Sequence, residues 1–447
     1  MSEDISRLNK AAVELLLSFP TSTKVRVISH YDADGISAAG ILCKALYRAG
    51  FDFHATLMRN PFNKGLERLA KEKNDIILFS DMGSAQLKSI EEMGSSCIIL
   101  DHHQYLTKET KDNVIQVNAN RCGIDGNYEA CGASLCFSFA QTLDEYNSDL
   151  CYLGLTGAIG DKQHIGGLKG FNKKILDAAL KNDVIEERVG IKLYGDSISD
   201  ALYYAADPFY SGLSGNNDAI ASLLKKIGID PDLSVEHITG DALKKLQSYL
   251  FYVLLRKGCQ QNILDTVIRK RYFSKVLGCE LERFADLLDA CGKFGYRDIG
   301  LSLCLGDYSL FKKAFTIEKK YKQKILSALI ELEHGGIKEL DAMRYFYSDS
   351  SSLGGVVAGI AGNYIFDVKK PLFSLGRKKD EIHISCRGNQ LLVQNGLDLG
   401  DALKKVTVEI GGFGGGHKIA AGATISLEKE KEFIEKVNSI LTLQIKG

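Results

Sequence analysis

The sequence lacks a net charge, paired cysteines and a long apolar run. Its 56 basic residues balance 56 acidic residues, so there is no global basic field, and any nucleic-acid contact needs a local patch. The eleven cysteines are scattered singly, which is typical of buried thiols in a reducing compartment. No apolar run is long enough to span a bilayer.

The amino terminus also lacks the pattern of a secretory signal. Glu3 and Asp4 lie near the start, and no cleavage-site pattern follows them. We therefore expect a cytoplasmic protein without membrane contacts. The chain has 447 residues, 45% of them hydrophobic and 25% charged. This length and composition predict two or three globular domains.

Three short apolar runs, each typical of a buried strand, end abruptly in carboxylates and imidazoles. A buried strand is an unusual place for such groups. If the strands are parallel neighbours, their carboxyl ends bring these side chains into one crevice, where open α/β sheets bind ligands. The runs and the polar residues that follow them are Val25–Ser29 with His30, Asp32 and Asp34; Ile76–Ser80 with Asp81; and Ile98–Leu100 with Asp101, His102 and His103.

The order of the predicted elements indicates an α/β protein. Strands alternate with helices up to about residue 160, which predicts βαβ units and a parallel sheet. The pattern is helical from about 170 to 335 and α/β again from about 341. We therefore predict a parallel-sheet catalytic domain at 1–170, a helical insertion and linker at 171–338, and a smaller α/β substrate-binding domain at 339–447, across a cleft.

The last of these segments contains a glycine-rich stretch, Gly411–Gly422, with six glycines and one histidine. It predicts a loop whose backbone N–H groups can approach an anion closely. It is not a Walker loop, because the Lys-Ser/Thr ending is absent. Tight turns before a final strand are the alternative. Arg387 is a natural partner for the same anion.

The polar residues of the first domain fit a metal centre. Four clustered aspartates without cations would repel one another, and two divalent ions remove that problem. Carboxylate and imidazole ligands suit Mn²⁺ or Mg²⁺, and the lack of thiolate argues against structural Zn²⁺. The reaction that such a centre indicates is metal-assisted phosphoester hydrolysis, with Asp81 as a candidate bridge between both ions. The candidate ligands are His30, Asp32, Asp34, Asp81, His102 and Asp161.

The residues beside these ligands have separate predicted roles in catalysis. Adjacent strand-end residues point in different directions, so we expect His102 to bind metal while His103 donates to the scissile phosphate or polarises it. Asp101 would orient one of the metal ligands without binding the metal itself. The candidates for holding the substrate's other phosphate or its terminal nucleotide are Arg387, Gly414, Gly415, Gly416 and His417.

In these motifs the chain resembles the DHH/DHHA1 phosphoesterases. All five of the family's signatures occur in the family's order. Parts of the middle segment, Asp207–Gly215 and Leu288–Asp307, are similar to archaeal RecJ-like nucleases, which carry a helical insertion between the two domains. The archaeal type tends to have Asn and Arg where this chain has Asp289 and Lys293. The signatures are His30–Gly35, Ser80-Asp81, Asp101-His102-His103, Gly157–Asp161 and, for DHHA1, Gly411–Gly422.

The resemblance implies a single-strand-specific exonuclease that needs Mn²⁺ or Mg²⁺ and releases mononucleotides from DNA or RNA. It also implies possible partners, since archaeal members bind the GINS replication complex. The ligand sets it implies are His30, Asp32 and Asp81 for one ion and Asp34, Asp81, His102 and Asp161 for the other. The residues it places at phosphate are His103, Arg387, Gly415, Gly416 and His417.

Two other functions stay open at the level of the sequence. A scaffold in a replication complex predicts eroded ligands, whereas every motif ligand is present here. A hydrolase of small phosphoesters, such as short oligonucleotides, pAp or cyclic dinucleotides, predicts a closed pocket without a basic channel. Two basic stretches near aromatic residues, Lys312–Lys324 and Arg269–Arg271, are either solvated surface or contacts to a nucleic-acid backbone. The sequence leaves polarity, sugar preference and oligomeric state undecided.

Overall fold

The computed structural model describes residues 4–59, 64–349 and 353–446. The strands in chain order are β1 (Val25–His30), β2 (Phe53–Met58), β3 (Ile76–Ser80), β4 (Ser96–Asp101), β5 (Val114–Asn118), β6 (Ile185–Ile191), β7 (Ile268–Ser274), β8 (Cys279–Glu280), β9 (Lys338–Glu339), β10 (Arg344–Tyr347), β11 (Leu372–Lys378), β12 (Glu381–Arg387), β13 (Phe413–Gly416) and β14 (Ala420–Ser426).

The helices in chain order are α1 (Ile5–Leu17), α2 (Ala33–Arg48), α3 (Lys64–Lys71), α4 (Leu87–Glu92), α5 (Gly132–Leu143), α6 (Cys151–Gly160), α7 (Gly170–Lys181), α8 (Ile198–Tyr203), α9 (Asn217–Ile227), α10 (Gly240–Arg256), α11 (Gln261–Leu264), α12 (Leu281–Lys293), α13 (Arg297–Leu305), α14 (Phe311–Glu333), α15 (Gly354–Tyr364), α16 (Gln390–Gln394), α17 (Leu399–Ile410) and α18 (Glu430–Lys446). Short 3-10 turns lie at Ser84–Gln86, Asn120–Cys122, Glu145–Leu150, Val235–His237, Tyr308–Leu310 and Leu427–Lys429.

A five-stranded parallel sheet in the order β2-β1-β3-β4-β5 confirms the predicted fold class. Along β3, Ile76 and Leu78 face one core while Ile77 and Phe79 face another, as the two-residue period of a strand requires. Helices α1, α2, α5 and α6 cover the first face, and α3 and α4 cover the second. A parallel sheet buried on both faces explains why its strands are continuous apolar runs.

The carboxyl-terminal part contains a sheet in the order β13-β14-β12-β11-β10-β9. Its strands pair antiparallel except for β10 with β11. One face packs on α17 and α18 through residues such as Phe373, Ile384 and Phe433. Helix α15 packs on β11 and β12, so this small-residue helix has a partner within its own part of the chain.

The chain divides into two compact units, each of which is discontinuous in sequence. The first contains residues 1–190 and 270–318, and the second contains 191–269 and 319–447. The three-part division at 170 and 338 stays a prediction. The middle segment is also not wholly helical, because β6, β7 and β8 form a three-stranded sheet. Strands β6 and β7 each contain three consecutive charged residues, Glu186–Arg188 and Arg269–Arg271, which hide the apolar signal of a strand.

One local prediction was wrong, and one strand was not predicted. Gly411–Gly422 was predicted as a loop, but it contains β13, a turn and the start of β14. Strand β5 was not predicted, although Val114 and Val117 are buried. Pairing with β14 stabilises β13, which propensity alone disfavours in a glycine run.

All eleven cysteines are free thiols, and most of them are buried, as their apolar surroundings predict. In the part of the chain that the structure describes, no helix has the length and apolarity needed to cross a membrane.

Candidate metal centre

The candidate ligands lie at the switch point of the parallel sheet. After β1 the chain adds β2 on one side and then β3 on the other, so the crevice between β1 and β3 opens at their carboxyl ends. His30 is the last residue of β1, Asp81 follows β3 directly, and Asp101 ends β4. The geometry predicted from the strand ends is therefore present within the first unit.

Asp81 occupies the middle of this cluster. Its carboxylate lies 3.4 Å from His30 Nδ1 and 3.2 Å from His102 Nε2, and the residue is only 3% exposed. Its backbone has a φ of 56°, a left-handed conformation that aspartate adopts more readily than most residues. The Asp81 N–H donates to the Leu100 carbonyl at 2.9 Å. Strand pairing thus fixes a conformation that turns the carboxylate toward both histidines.

Asp34 is held by the amino terminus of α5. Its two carboxylate oxygens accept from the Gly132 N–H at 2.7 Å and the Ala133 N–H at 2.8 Å, where the helix dipole favours negative charge. Glycine is required nearby, because a Cβ on Gly157 would lie 2.2 Å from Asp34 Oδ1. The small residues of α5 and α6 therefore allow a buried carboxylate to enter between two helices.

Asp32 caps α2 and also contacts His30. One carboxylate oxygen accepts from the Gly35 N–H at 3.1 Å, and the other lies 2.7 Å from His30 Nδ1. The cap starts the helix, so the same side chain sets the path of the motif and joins the cluster. Asp34 follows in the first turn of that helix.

His102 is oriented by a backbone carbonyl. Its Nδ1 lies 2.6 Å from the Gly126 carbonyl oxygen, so Nδ1 carries the proton and donates. The remaining Nε2 lies 3.3 Å from Asp161 and 3.7 Å from Asp34. A carbonyl that fixes the tautomer of a histidine in this way is typical of metal ligands.

His103 lies beside the cluster and is more accessible. Its side chain is 54% exposed, and its Nδ1 lies 2.8 Å from Asp101 Oδ1. Asp101 accepts in addition from the N–H groups of His103 and Ser84. The contact with Asp101 therefore orients the His103 ring, and Nε2 is the ring nitrogen that does not contact Asp101.

The donor set fits hard divalent ions. The histidine and carboxylate ligand atoms within each group lie within 4.8 Å of one another. Cys131 lies near Asp34, but burial and that carboxylate raise the pKa of its thiol well above the ordinary value, so the thiol stays protonated. Oxygen and imidazole donors without thiolate suit Mn²⁺ or Mg²⁺. The groups are His30, Asp32 and Asp81; Asp34, His102 and Asp161; and Asp81, His102 and His103.

The pKa values of Asp161 and His102 are raised, and a bound cation would displace the protons that these two residues hold. Burial and the nearby Asp81 charge raise the pKa of Asp161 to about 7. Burial opposes protonation of His102, but Asp81 and Asp161 raise its pKa well above the ordinary value. For Asp81, burial opposes ionisation, yet hydrogen bonds with His102 and His30 lower its pKa. These interactions favour an ionised Asp81 and protonated Asp161 and His102 near neutral pH.

We expect metal affinity to increase with pH, because a raised pKa keeps a ligand protonated until the pH exceeds it. Between about pH 6 and about pH 8, each proton released adds up to roughly tenfold in Mn²⁺ affinity per pH unit. Calorimetric titration with Mn²⁺ in buffers of different ionisation enthalpy measures the number of protons released. A constant affinity across this range, without proton release, would contradict the expectation.

The predicted phosphate-binding residues lie in the second unit. Arg387 ends β12, and Gly414, Gly415 and Gly416 belong to β13. The His417 N–H donates to the Ala420 carbonyl at 2.8 Å and closes the turn to β14. The metal candidates and these residues therefore form two groups in separate units.

Arg387 carries a half-buried guanidinium near the end of the sheet. Its guanidinium donates to the Cys386 carbonyl at 2.9 Å, and burial lowers its pKa. No carboxylate pairs with it among residues 4–59, 64–349 and 353–446. A Cβ on Gly355 of α15 would lie 2.9 Å from the Arg387 side chain, so the small residues of that helix make room for it. A half-buried guanidinium without a carboxylate partner is suited to phosphate.

Sequence reasoning missed several groups that support the cluster. The Gly126 carbonyl and the Gly132 N–H are backbone atoms, which no side-chain motif reveals. Asp289 of α12 accepts from the Ala33 N–H at 2.9 Å and lies 2.5 Å from Lys293. It reaches the start of α2 from far along the chain, so only the tertiary fold shows its role.

Replacing Asp289 with alanine should weaken Mn²⁺ binding by roughly 10- to 100-fold, the usual cost of losing support behind a metal ligand. The change removes the acceptor for the Ala33 N–H, between Asp32 and Asp34. Asp289→Asn keeps an acceptor oxygen and should bind Mn²⁺ more tightly than the alanine variant. Mn²⁺ titration of both variants measures the effect, and wild-type affinity in Asp289→Ala would disprove it.

The basic stretches that the sequence singled out are largely engaged. Lys319 lies 3.0 Å from both Asp196 and Asp200, and Lys270 lies 2.9 Å from Glu187. These contacts favour the interpretation of a structural surface over that of a nucleic-acid channel. Aromatic residues nearby are also occupied: Tyr272 and Tyr321 are buried, Arg188 lies over Phe273, and Arg283 lies over Phe315.

Residues 24–158 match the DHH family, N-terminal domain, and residues 343–443 match the DHHA1 domain. The chain is 30% identical to the uncharacterized protein MJ0831 of Methanocaldococcus jannaschii over 456 residues, 99% of each protein. The chain belongs to the DHH family and carries a DHHA1 domain. It is also 25% identical over 202 residues to the single-stranded-DNA-specific exonuclease RecJ of Thermus thermophilus, which covers 43% of this chain and 30% of RecJ.

Solved structures show the same fold. A structure of exonuclease RecJ bound to manganese has a TM-score of 0.60 at 17% identity and covers 97% of this chain and 94% of that chain. RecJ of Thermus thermophilus with Mn²⁺ has a TM-score of 0.61 at 18% identity, and the match covers 98% of this chain but 55% of that chain. CDC45 of Entamoeba histolytica has a TM-score of 0.63 at 12% identity, with 97% of each chain covered. These solved structures therefore share the fold of this chain.

Proposed function

We propose that the protein is a two-metal phosphodiesterase that acts as a single-strand-specific exonuclease on DNA, RNA or both and releases mononucleotides. The observation that carries the proposal is the convergence of two ligand groups around Asp81, whose two carboxylate oxygens face His30 and His102. The partial identity to RecJ, a single-stranded-DNA-specific exonuclease, supports the choice of substrate.

Mn²⁺ or Mg²⁺ is the proposed cofactor, as two ions. His30, Asp32 and Asp81 would hold one ion, and Asp34, Asp81, His102 and Asp161 would hold the other. Such ions would lower the pKa of a bound water molecule and stabilise the negative charge of the phosphodiester during its hydrolysis.

The chain's own residues supply orientation and proton donation. His103 would donate from Nε2 to a phosphate oxygen, because Asp101 occupies its Nδ1. Burial lowers the pKa of His103, but the Asp101 charge raises it overall, so the ring stays protonated to higher pH. A positioned cationic donor of this type stabilises negative charge as it develops on phosphate.

In this proposal the second unit binds a phosphate of the substrate other than the one that reacts. Arg387, with no described carboxylate partner, would pair with a second phosphate of the strand. The backbone N–H groups of Gly414, Gly415 and Gly416 and the exposed His417 would approach the same anion. Binding two phosphates at once favours an oligonucleotide over a small phosphoester, because a longer substrate provides more anchoring contacts.

The proposed setting is replication, repair or RNA turnover in the cytoplasm. A second function, as a scaffold that binds replication proteins such as GINS, is favoured by the similarity to the CDC45 fold. Both functions can coexist, because none of the predicted metal ligands has been replaced. A variant that no longer binds replication proteins would still hydrolyse its substrate, so experiment can separate the two proposed functions.

An end-labelled oligonucleotide tests the enzymatic proposal. Single-stranded DNA and RNA, each labelled at either end, are incubated with the protein and Mn²⁺, and the products are resolved over time. Early release of a labelled mononucleotide from one end would establish an exonuclease, its polarity and its sugar preference. Duplexes of the same sequence are the control for strand specificity. If neither single strand is cleaved with metal bound, the proposal fails in favour of a small substrate or a scaffold.

A further inference from the structure

Phe413 is an exposed aromatic residue at the start of the glycine strand β13. Its side chain is 85% exposed, and it is the one phenylalanine counted as exposed within the described ranges. Single exposed apolar residues are common on protein surfaces, so exposure alone assigns no role. Its position on β13, within the predicted phosphate-binding segment, is what distinguishes it.

The register of the sheet defines which residues share its face. Phe413 pairs with Thr424 and Gly415 pairs with Gly422 across the β13–β14 ladder. On the next strand, β12, His383 pairs with Thr424 and Ser385 with Gly422. Directly paired residues point to the same face, and alternate residues of a strand do so too. Phe413 and Gly415 therefore stand on the face that also carries His383 and Ser385.

Next to Phe413, this face consists of glycine backbone without side chains. We call this area the glycine floor; it is formed by Gly415 and its partner Gly422. A Cβ on Gly415 would meet nothing within 4 Å, whereas a Cβ on Gly414 would lie 2.9 Å from the Leu403 carbonyl of α17. Gly414 thus faces the helix, and Gly415 faces open space. Thr424 and His383 border the floor with a side-chain hydrogen bond of 3.1 Å.

Arg387 belongs to the same face, since it follows His383 and Ser385 at alternate positions of β12. Successive rows on one face of a sheet are about 7 Å apart, twice the rise per residue. The face thus has a guanidinium in one row, the glycine floor in the next and an aromatic ring in the third. A single strand needs these same elements from its binding surface: charge for the phosphates and an aromatic face for a base.

We propose that Phe413 is a base-stacking residue that holds one nucleobase of a single-stranded substrate while Arg387 and the Gly415 floor hold its backbone. The proposal rests on the nucleic-acid substrate of the proposed function. It deepens that function by assigning a residue to a base of the substrate, in addition to the residues proposed for its phosphates. The aromatic residues of the basic stretches cannot serve, because they are buried or covered.

The test compares Phe413→Ala with Phe413→Tyr in Mn²⁺-dependent degradation of a single-stranded oligonucleotide. The alanine variant should raise KM roughly tenfold, the usual scale for losing one stacked base, with kcat little changed. The tyrosine variant should restore the wild-type KM, because it keeps an aromatic face. Val408→Ala on α17 is the matched control, since Val408 is 78% exposed in the same unit, and its KM should equal that of wild type.

Oligonucleotides with one abasic position, moved along the strand, identify the stacked base. In wild type one abasic position should raise KM as much as Phe413→Ala does, and the two changes together should add nothing further. An unchanged KM for Phe413→Ala, or fully additive effects at every position, overturns the proposal. If the wild-type protein cleaves no oligonucleotide, the proposed nuclease function is wrong, but stacking of a base on Phe413 is still tested separately. Fluorescence anisotropy of the same strands then decides stacking, and equal affinity of wild type and Phe413→Ala overturns it.

Discussion

Replacing Asp81 with alanine should abolish hydrolysis while leaving the binding of single strands largely intact. Among the residues that the structure describes, Asp81 is the one carboxylate within reach of both His30 and His102, so its loss affects both proposed ions together. We expect a fall in kcat of at least about 10³-fold, since a single preorganised charge contact is already worth 10²- to 10³-fold. Binding through the second unit does not involve this side chain and should remain.

The experiment needs a companion variant, because alanine at a φ of 56° costs about 1 kcal/mol. Asp81→Asn keeps the shape and tolerates the left-handed conformation, so it separates chemistry from folding. Asp52→Ala, at an exposed aspartate of the first unit, is the control and should turn over normally. Single-turnover cleavage, metal content and oligonucleotide anisotropy are measured for each. Normal turnover by Asp81→Asn and Asp81→Ala would disprove the two-metal assignment.

Replacing Arg387 with alanine should raise the KM for an oligonucleotide by roughly 10- to 100-fold, the range expected for a lost hydrogen bond to a charged group. The half-buried guanidinium has no carboxylate partner among the described residues, so its removal leaves no buried acid unpaired in the fold. The chemical step should change less than KM, because Arg387 is proposed to grip a phosphate other than the one that reacts.

Two variants make this result specific. Arg387→Lys keeps the charge but loses the planar fork, and it should fall between alanine and wild type. Arg377→Ala on β11 removes an arginine that already pairs with Glu430 at 2.8 Å, and its KM should stay near that of wild type. KM and kcat are measured for all three on the same labelled strand. An unchanged KM for Arg387→Ala would show that the second unit holds the substrate elsewhere.

The sequence was sufficient to predict that the candidate metal ligands come together, because each strand of a parallel sheet ends at the same edge. His30, Asp81 and Asp101 stand at strand ends, where a change from apolar to charged residues is visible in the chain itself. Asp32 and Asp34 were predictable for the same reason, since they follow β1 directly. Local pattern and topology therefore agree at this site.

The remaining features depend on contacts that pattern does not encode. Asp289 supports α2 through a single hydrogen bond across 256 positions of sequence. The glycine stretch forms a strand because β14 pairs with it, although glycine disfavours strands. The exposed charges of β6 and β7 hide a small sheet within a segment that reads as helical. In each case a tertiary partner decides the structure.

The discontinuity of the first unit has a consequence for how the protein is made. The candidate ligands have all been synthesised once Asp161 is reached, but the unit is completed only by residues 270–318, which include Asp289. At roughly 5 to 20 residues per second, that delay is on the order of ten seconds during translation. During this interval the candidate ligands lack the hydrogen bond from the Ala33 N–H to Asp289, because α12 is synthesised later. A fragment that ends near residue 170 would resemble this unfinished intermediate and not the mature centre.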